Sequence, residues 1–122
     1  MILADTSVWI DHLRNRNRDL ENFLTQGQIL MHPFVVAELS LGSLRNRQST
    51  LRDLESLLQT KVAGLDEVRH MIEAHALYSK GIGLTDAHLI ASCLITPGTQ
   101  LWTLDVAMKK VAASFAMLAD LP

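Results

Sequence analysis

The sequence predicts an α/β protein, a three-layer α/β/α sandwich with a short central parallel sheet, in which residues 1–122 form a single domain. Two observations lead to this prediction. First, short apolar runs that are too short for buried helices alternate with longer amphipathic segments. Second, the chain is 48% hydrophobic and 20% charged, which supplies one sizeable core and argues against long disordered stretches.

The apolar runs give the expected strands, and the amphipathic segments give the expected helices. Strands are predicted at residues 2–4, 28–31, 61–63 and 100–104, with a short edge strand at 115–118. Helices are predicted at residues 7–13, 19–26, 34–42, 50–58, 66–81, from 84 to the turn at 96–98, and 106–113. Asp66 and Thr85 are expected to cap the two helices that begin beside them. Right-handed crossovers would bring the carboxyl ends of all the strands to one edge of the sheet.

Composition narrows the possible environments and partners. A formal net charge of -2 argues against binding nucleic acid by bulk charge, although it leaves room for local basic patches. The single cysteine, Cys93, excludes an internal disulfide and fits a reducing compartment, so we expect a cytoplasmic protein. No membrane association is expected, because the first apolar run is interrupted early and no run approaches the ~18 apolar residues of a membrane span.

Four carboxylates are predicted to meet at the carboxyl edge of the sheet, where ligands bind in open α/β folds. Asp5 ends the first strand, Asp105 follows strand 100–104, and Asp86 opens a helix. Each of these three could instead be an ordinary acid at a helix start. Glu38 is harder to explain in that way, because it lies among apolar neighbours on a helix that we expect to be mostly buried.

Carboxylates that share one pocket repel each other, and a hard divalent cation removes that penalty. Oxygen ligands favour Mg²⁺ or Mn²⁺, and no Cys/His set in the sequence has the spacing of a zinc site. The reaction that best fits an all-carboxylate site of this kind is phosphodiester hydrolysis.

Four segments resemble the motifs of PIN-domain nucleases, specifically the VapC toxins of bacterial toxin–antitoxin pairs. These segments are ILADTSVWID at 2–11, VVAEL at 35–39, GLTDAHLIA at 83–91 and LWTLD at 101–105. Each motif alone is weak, since it consists of an acid beside apolar residues. The four occur in order and with family-like spacing over nearly the whole chain, which makes the resemblance specific.

The resemblance implies that four acids form the catalytic and metal-binding set: Asp5, Glu38, Asp86 and Asp105. In this family the fourth acid, here Asp105, often acts through water. It also implies that the hydroxyls of Thr6 and Thr103 support this site. The implied activity is a Mg²⁺- or Mn²⁺-dependent RNA endonuclease that cuts tRNA or rRNA loops and inhibits translation. The implied partners are a second copy of the chain and a VapB-type antitoxin that neutralises the toxin.

Arginines near the first two motifs are candidate RNA phosphate contacts, and solvated loops and helix faces are an equally good explanation for them. They are Arg14, Arg16, Arg45 and Arg47, with Arg18 and Arg52 as weaker candidates. Asp11 is interpreted as a surface residue paired with Arg14 three positions later.

Two alternatives from other functional classes remain at this stage. A PIN-like module without catalytic activity would bind RNA or protein, and metal-dependent cleavage would distinguish it from an enzyme. A signalling receiver domain would need a phosphoacceptor aspartate at the end of a central strand near mid-chain. Asp53 and Asp66 are the available candidates, and neither follows a strong strand in the sequence.

Overall fold

A computed structural model describes the whole chain, Met1–Pro122, as a small α/β sandwich around a parallel sheet of three strands in the order β2-β1-β3. The strands are β1 (Ile2–Ala4), β2 (Ile29–Leu30) and β3 (Gln100–Trp102). Ile2 lies opposite Ile29 on one side and Gln100 on the other, so β1 is the central strand. The predicted fold class is confirmed.

Helices fill the segments between and after the strands. They are α1 (Thr6–Asn15), α2 (Arg18–Thr25), α3 (Pro33–Ser40), α4 (Arg47–Glu55), α5 (Leu65–Ala74), α6 (Leu84–Ile95) and α7 (Val106–Ser114). None of them is long and apolar enough to cross a membrane. Asp53 lies within α4 and Asp66 in the first turn of α5, so neither ends a strand as a receiver domain would require.

The core forms around β1 because every residue of that strand is apolar and buried. Leu3 and, on the neighbouring strand, Leu101 are completely buried, and Trp102 is nearly so. Leu89 and Ile90 of α6 belong to the same cluster of buried apolar side chains. A strand that is buried on both faces needs a continuous apolar run, which explains why residues 2–4 carry no polar side chain.

Two predicted strands are wrong. Residues 61–63 form no strand, and the backbone instead makes a single parallel bridge between Met31 and Gln59. Segment 115–118 is reduced to one bridge between Leu118 and Leu101. A short run with weak β-propensity becomes a strand only when a neighbouring strand pairs with it, so sequence alone does not decide such cases.

The helix predicted at 66–81 is shorter than expected, since α5 ends at Ala74 and a connector leads to α6. Its end is stabilised by a left-handed residue, Ala76 (φ 52°), beside a hydrogen bond from Leu77 N to the Ile72 carbonyl. The predicted N-caps Asp66 and Thr85 are also wrong, because Gly64 and Gly83 occupy the cap positions.

Candidate active site

Two of the four acids cap helices directly beyond adjacent strands. Asp5 precedes α1, and its Oδ1 accepts a hydrogen bond from Val8 N at 3.2 Å. Asp105 precedes α7, and its Oδ1 accepts one from Met108 N at 2.8 Å. Because β1 and β3 are hydrogen-bonded neighbours, their carboxyl ends place these two acids at the same edge of the sheet. Serving as a helix cap therefore does not conflict with belonging to a site, since each cap uses one carboxylate oxygen.

Asp86 lies in the first turn of α6. Its Oδ2 accepts a hydrogen bond from Gly83 N at 3.1 Å, which holds the carboxylate over the start of the helix. Burial raises the pKa of Asp86, and the negative charges of Asp5, Asp105 and Glu38 raise that pKa further. Such repulsion acts over short distances, so Asp5, Asp105 and Glu38 lie near Asp86.

Glu38 reaches the site from α3 in a way that the sequence did not predict. We expected a buried carboxylate, and this is wrong: α3 buries Val35 and Leu39, while Glu38 is exposed. Glu38 is held by Thr6, whose Oγ1 donates a hydrogen bond to Glu38 Oε1 at 2.6 Å. This hydrogen bond is a direct contact between the first and second motifs.

Two further hydroxyls connect the ends of β1 and β3. Ser7 Oγ donates to Asp5 Oδ1 and accepts from Leu104 N at 3.0 Å. Thr103 Oγ1 accepts from Asp105 N at 3.1 Å, and a hydrogen bond from Thr103 also lowers the pKa of Asp5. Sequence reasoning singled out Thr103 but missed Ser7. Its position two residues after a strand-ending aspartate was the available signal.

The site carries negative charge that no side chain of the protein neutralises. Burial raises the pKa of Asp5, and hydrogen bonds from Ser7, Thr103 and Val8 offset this only in part. The one ion pair in the structure joins Arg16 to Glu21 at 2.6 Å, and none of the four acids takes part in it. Folding has therefore placed Asp5 and Asp86 in surroundings that disfavour their ionisation, and a bound cation would favour it.

The donor set fits a hard divalent cation. Glu38 Oε2, Asp86 Oδ1 and Asp105 Oδ2 accept no hydrogen bond from the protein, so each acid keeps one oxygen for a ligand while its other oxygen is fixed. All these donors are oxygens, as Mg²⁺ and Mn²⁺ prefer. As the side chains stand, no three His, Cys, Asp or Glu residues form a group that could hold an ion.

The four candidate arginines differ in whether their guanidinium groups already contact other groups of the protein. Arg14 is exposed and lines a groove that also contains Glu38. Arg45 is exposed as well. Arg16 is paired with Glu21, and Arg47 donates to the backbone carbonyls of Ser40 and Gly42.

The pairing predicted between Asp11 and Arg14 is wrong. Asp11 instead accepts hydrogen bonds from the side-chain amides of Asn15 at 3.3 Å and Asn17 at 3.1 Å. Asp11 thereby ties the end of α1 to the start of α2 and leaves the Arg14 guanidinium available at the groove.

Comparison with known proteins agrees with this geometry. The sequence model of the PIN domain matches residues 2–114. Ribonuclease VapC32 of Mycobacterium tuberculosis, in the strains CDC 1551 / Oshkosh and ATCC 25618 / H37Rv, is 40% identical to the chain over 113 residues. These alignments cover 93% of this chain and 91% of each relative. The family that the four motifs predicted is confirmed: the chain belongs to the PIN-domain family, in its VapC group.

Proposed function

We propose that this protein is a Mg²⁺- or Mn²⁺-dependent endoribonuclease that acts as the toxin of a toxin–antitoxin pair. The observation that carries the proposal is that Asp5 and Asp105 follow the carboxyl ends of adjacent parallel strands, near enough to Asp86 that their charges and that of Glu38 raise its pKa. An acidic pocket of this kind with no basic partner suits a divalent cation. The 40% identity to proteins named ribonucleases supports RNA as the substrate.

In this proposal Asp5, Glu38, Asp86 and Asp105 would hold the cation. When bound, the cation supplies an activated water and stabilises the charge that develops on the phosphate. The protein's own contribution is orientation. Thr6 fixes Glu38 through Oε1, and Ser7 and Thr103 fix Asp5 and the backbone after β3. Burial of Asp5 keeps bulk water away from one side of the site.

We further propose that the protein forms a homodimer and binds a VapB-type antitoxin. Its substrates are tRNA or rRNA loops, and their cleavage inhibits translation. The protein acts in the cytoplasm. A groove of about 140 Å³ between α1 and α3 favours the antitoxin, because Ile10 and Leu13 are exposed there beside Glu38. A bound apolar segment would cover one of the four acids.

Arg14, on the same groove, is the strongest candidate for an RNA phosphate contact, ahead of Arg45, Arg16 and Arg47.

The test is cleavage of total cellular RNA by protein freed from any antitoxin, with Mg²⁺, with Mn²⁺ and with EDTA. We expect discrete cuts that require the cation, and mapping their ends identifies the RNA target. Intact RNA after incubation with folded protein and cation would contradict the enzyme proposal and favour a PIN-like binding module. Cuts that persist in EDTA would contradict the role of the cation.

A further inference from the structure

Two buried histidines lie between the helices that carry Glu38 and Asp86. His32 is the N-cap of α3, and His88 belongs to α6, two residues after Asp86. Their side chains are 0% and 4% exposed, and their ring centres are 6.4 Å apart. His32 Nε2 and His88 Nδ1 are both buried without a hydrogen-bond partner. Buried polar atoms are nearly always paired, so two unpaired nitrogens on adjacent rings need an explanation.

The local contacts determine where the proton of His32 lies. His32 Nδ1 accepts a hydrogen bond from Phe34 N at 2.9 Å, so a neutral ring must carry its proton on Nε2. Burial lowers the pKa of His32 to about 4, with His88 adding to the effect, so the His32 ring is neutral at neutral pH. The unpaired atom of His32 is therefore a donor, and the second unpaired atom is His88 Nδ1 on the neighbouring ring.

The spacing of the rings suits a bridging molecule better than a direct bond. The two nitrogens make no direct hydrogen bond, whereas one water spans two hydrogen bonds of about 2.9 Å each in series. Buried waters are typically found where polar groups would otherwise be unpaired. The Phe34 ring packs against both histidine rings, with its centre 5.2 Å from that of His32 and 4.3 Å from that of His88. A metal ion does not suit this position, because the His32 nitrogen carries a proton.

We propose that one buried water accepts a hydrogen bond from His32 Nε2–H and donates one to His88 Nδ1. The two histidines are then positioning residues that fix α3 relative to α6, and hence Glu38 relative to Asp86. This last step rests on the proposed metal site, while the water itself does not. Neither histidine touches substrate in this account.

Nitrogen NMR of the imidazole rings in the metal-free wild-type protein tests the water directly. At neutral pH we expect both rings to be neutral, with the His32 proton on Nε2 and His88 Nδ1 unprotonated. The His32 Nε2 proton should exchange slowly and show a cross-relaxation signal to a long-lived water. A proton on either Nδ1, or a protected His32 Nε2 proton with no contact to water, would overturn the proposal. This measurement needs no variant, so it does not depend on whether substituted proteins fold.

Variants then test the positioning role by Mn²⁺ affinity, without an RNA assay. His88→Leu should weaken Mn²⁺ binding by about tenfold, the lower end of the range for outer partners of a metal site. His32→Leu should weaken Mn²⁺ binding at least as much. The double variant should bind Mn²⁺ no more weakly than His32→Leu alone, because each substitution already breaks the same bridge. Losses that multiply in the double variant would overturn the coupling.

Thr99→Val is the matched control for these variants. It removes another buried and unpaired polar group, just before β3 at the opposite end of the sheet from the acids. Its Mn²⁺ affinity should equal that of the wild type, and a tenfold loss here would show that the histidine effects are nonspecific. If the wild-type protein binds no Mn²⁺, the proposed function and the positioning role fail together, and the NMR result still decides whether the water is present.

Discussion

Asp5→Asn is expected to reduce RNA cleavage by more than about a hundredfold, since changing an outer partner of a metal site already costs about 10–100-fold in metal affinity or activity. The substitution removes the charge of the acid that ends the central strand and leaves the side chain's shape unchanged. Asparagine is as good an N-cap as aspartate, so its amide oxygen can still accept from Val8 N and α1 should form normally. The measurement is the initial rate of cleavage of one mapped RNA fragment at saturating Mg²⁺.

Asp66→Asn is the control for this experiment, because Asp66 is an exposed acid in the first turn of α5 and takes no part in the acidic site. It removes the same charge from a helix start and should cleave at the wild-type rate. If Asp5→Asn kept its activity while folded, the carboxylate at the end of β1 would not be catalytic. If Asp66→Asn lost activity equally, net charge alone would explain the effect.

Trp102→Ala is expected to lower the free energy of unfolding by about 3–5 kcal/mol, as large aromatic truncations in cores do. Trp102 is 1% exposed, ends β3 and packs edge-on against Phe23 at 6.2 Å. Its Nε1 also donates to the Pro122 carbonyl at 3.2 Å, which ties the last residue of the chain to the sheet. The loss is a large part of the roughly 5–15 kcal/mol that stabilises a typical domain.

Urea unfolding of Trp102→Ala, Trp102→Phe and Tyr78→Ala measures this effect. The phenylalanine variant should lie between the wild type and Trp102→Ala, because it keeps a ring but loses the hydrogen bond. Tyr78 is 61% exposed, so its truncation should change stability by no more than about 0.5 kcal/mol. A loss below about 1.5 kcal/mol in Trp102→Ala would show that the site collapses around the missing ring and that β3 depends little on it.

The sequence could predict where three of the four acids lie along the fold because strand ends and helix starts are local patterns. Asp5, Asp86 and Asp105 each lie at such a boundary, and parallel topology brings the boundaries together. The exposure of Glu38 could not be predicted, because it depends on which face of α3 packs against the rest of the fold. The strand expected at residues 61–63 failed for a similar reason, since Met31 pairs with Gln59 instead.

Residues that act across the fold leave little trace in the sequence. Ser7 connects Asp5 to Leu104, which lies 97 positions after Ser7 in the chain. His32 and His88 are likewise far apart in sequence and meet only through the packing of α3 near α6. No periodicity or spacing rule links such pairs, so their contacts emerge only from the folded structure.

The central claim is that the four acids form one cation site, and thermal unfolding of wild type and Asp86→Asn with and without Mn²⁺ tests it most directly. The pKa values of Asp5 and Asp86 are raised in the folded protein, so ionised carboxylates at neutral pH destabilise it. This cost grows as the pH rises through the raised pKa values and is absent below the usual carboxyl range. In EDTA at neutral pH, Asp86→Asn should therefore melt no lower than the wild type.

Mn²⁺ should reverse that order. At a hundred times its dissociation constant, a cation that binds only the folded protein stabilises it by about 2.7 kcal/mol. The account predicts this gain for the wild type and a much smaller one for Asp86→Asn. A wild-type melting temperature that Mn²⁺ leaves unchanged, or raises equally in both proteins, would contradict a shared cation site.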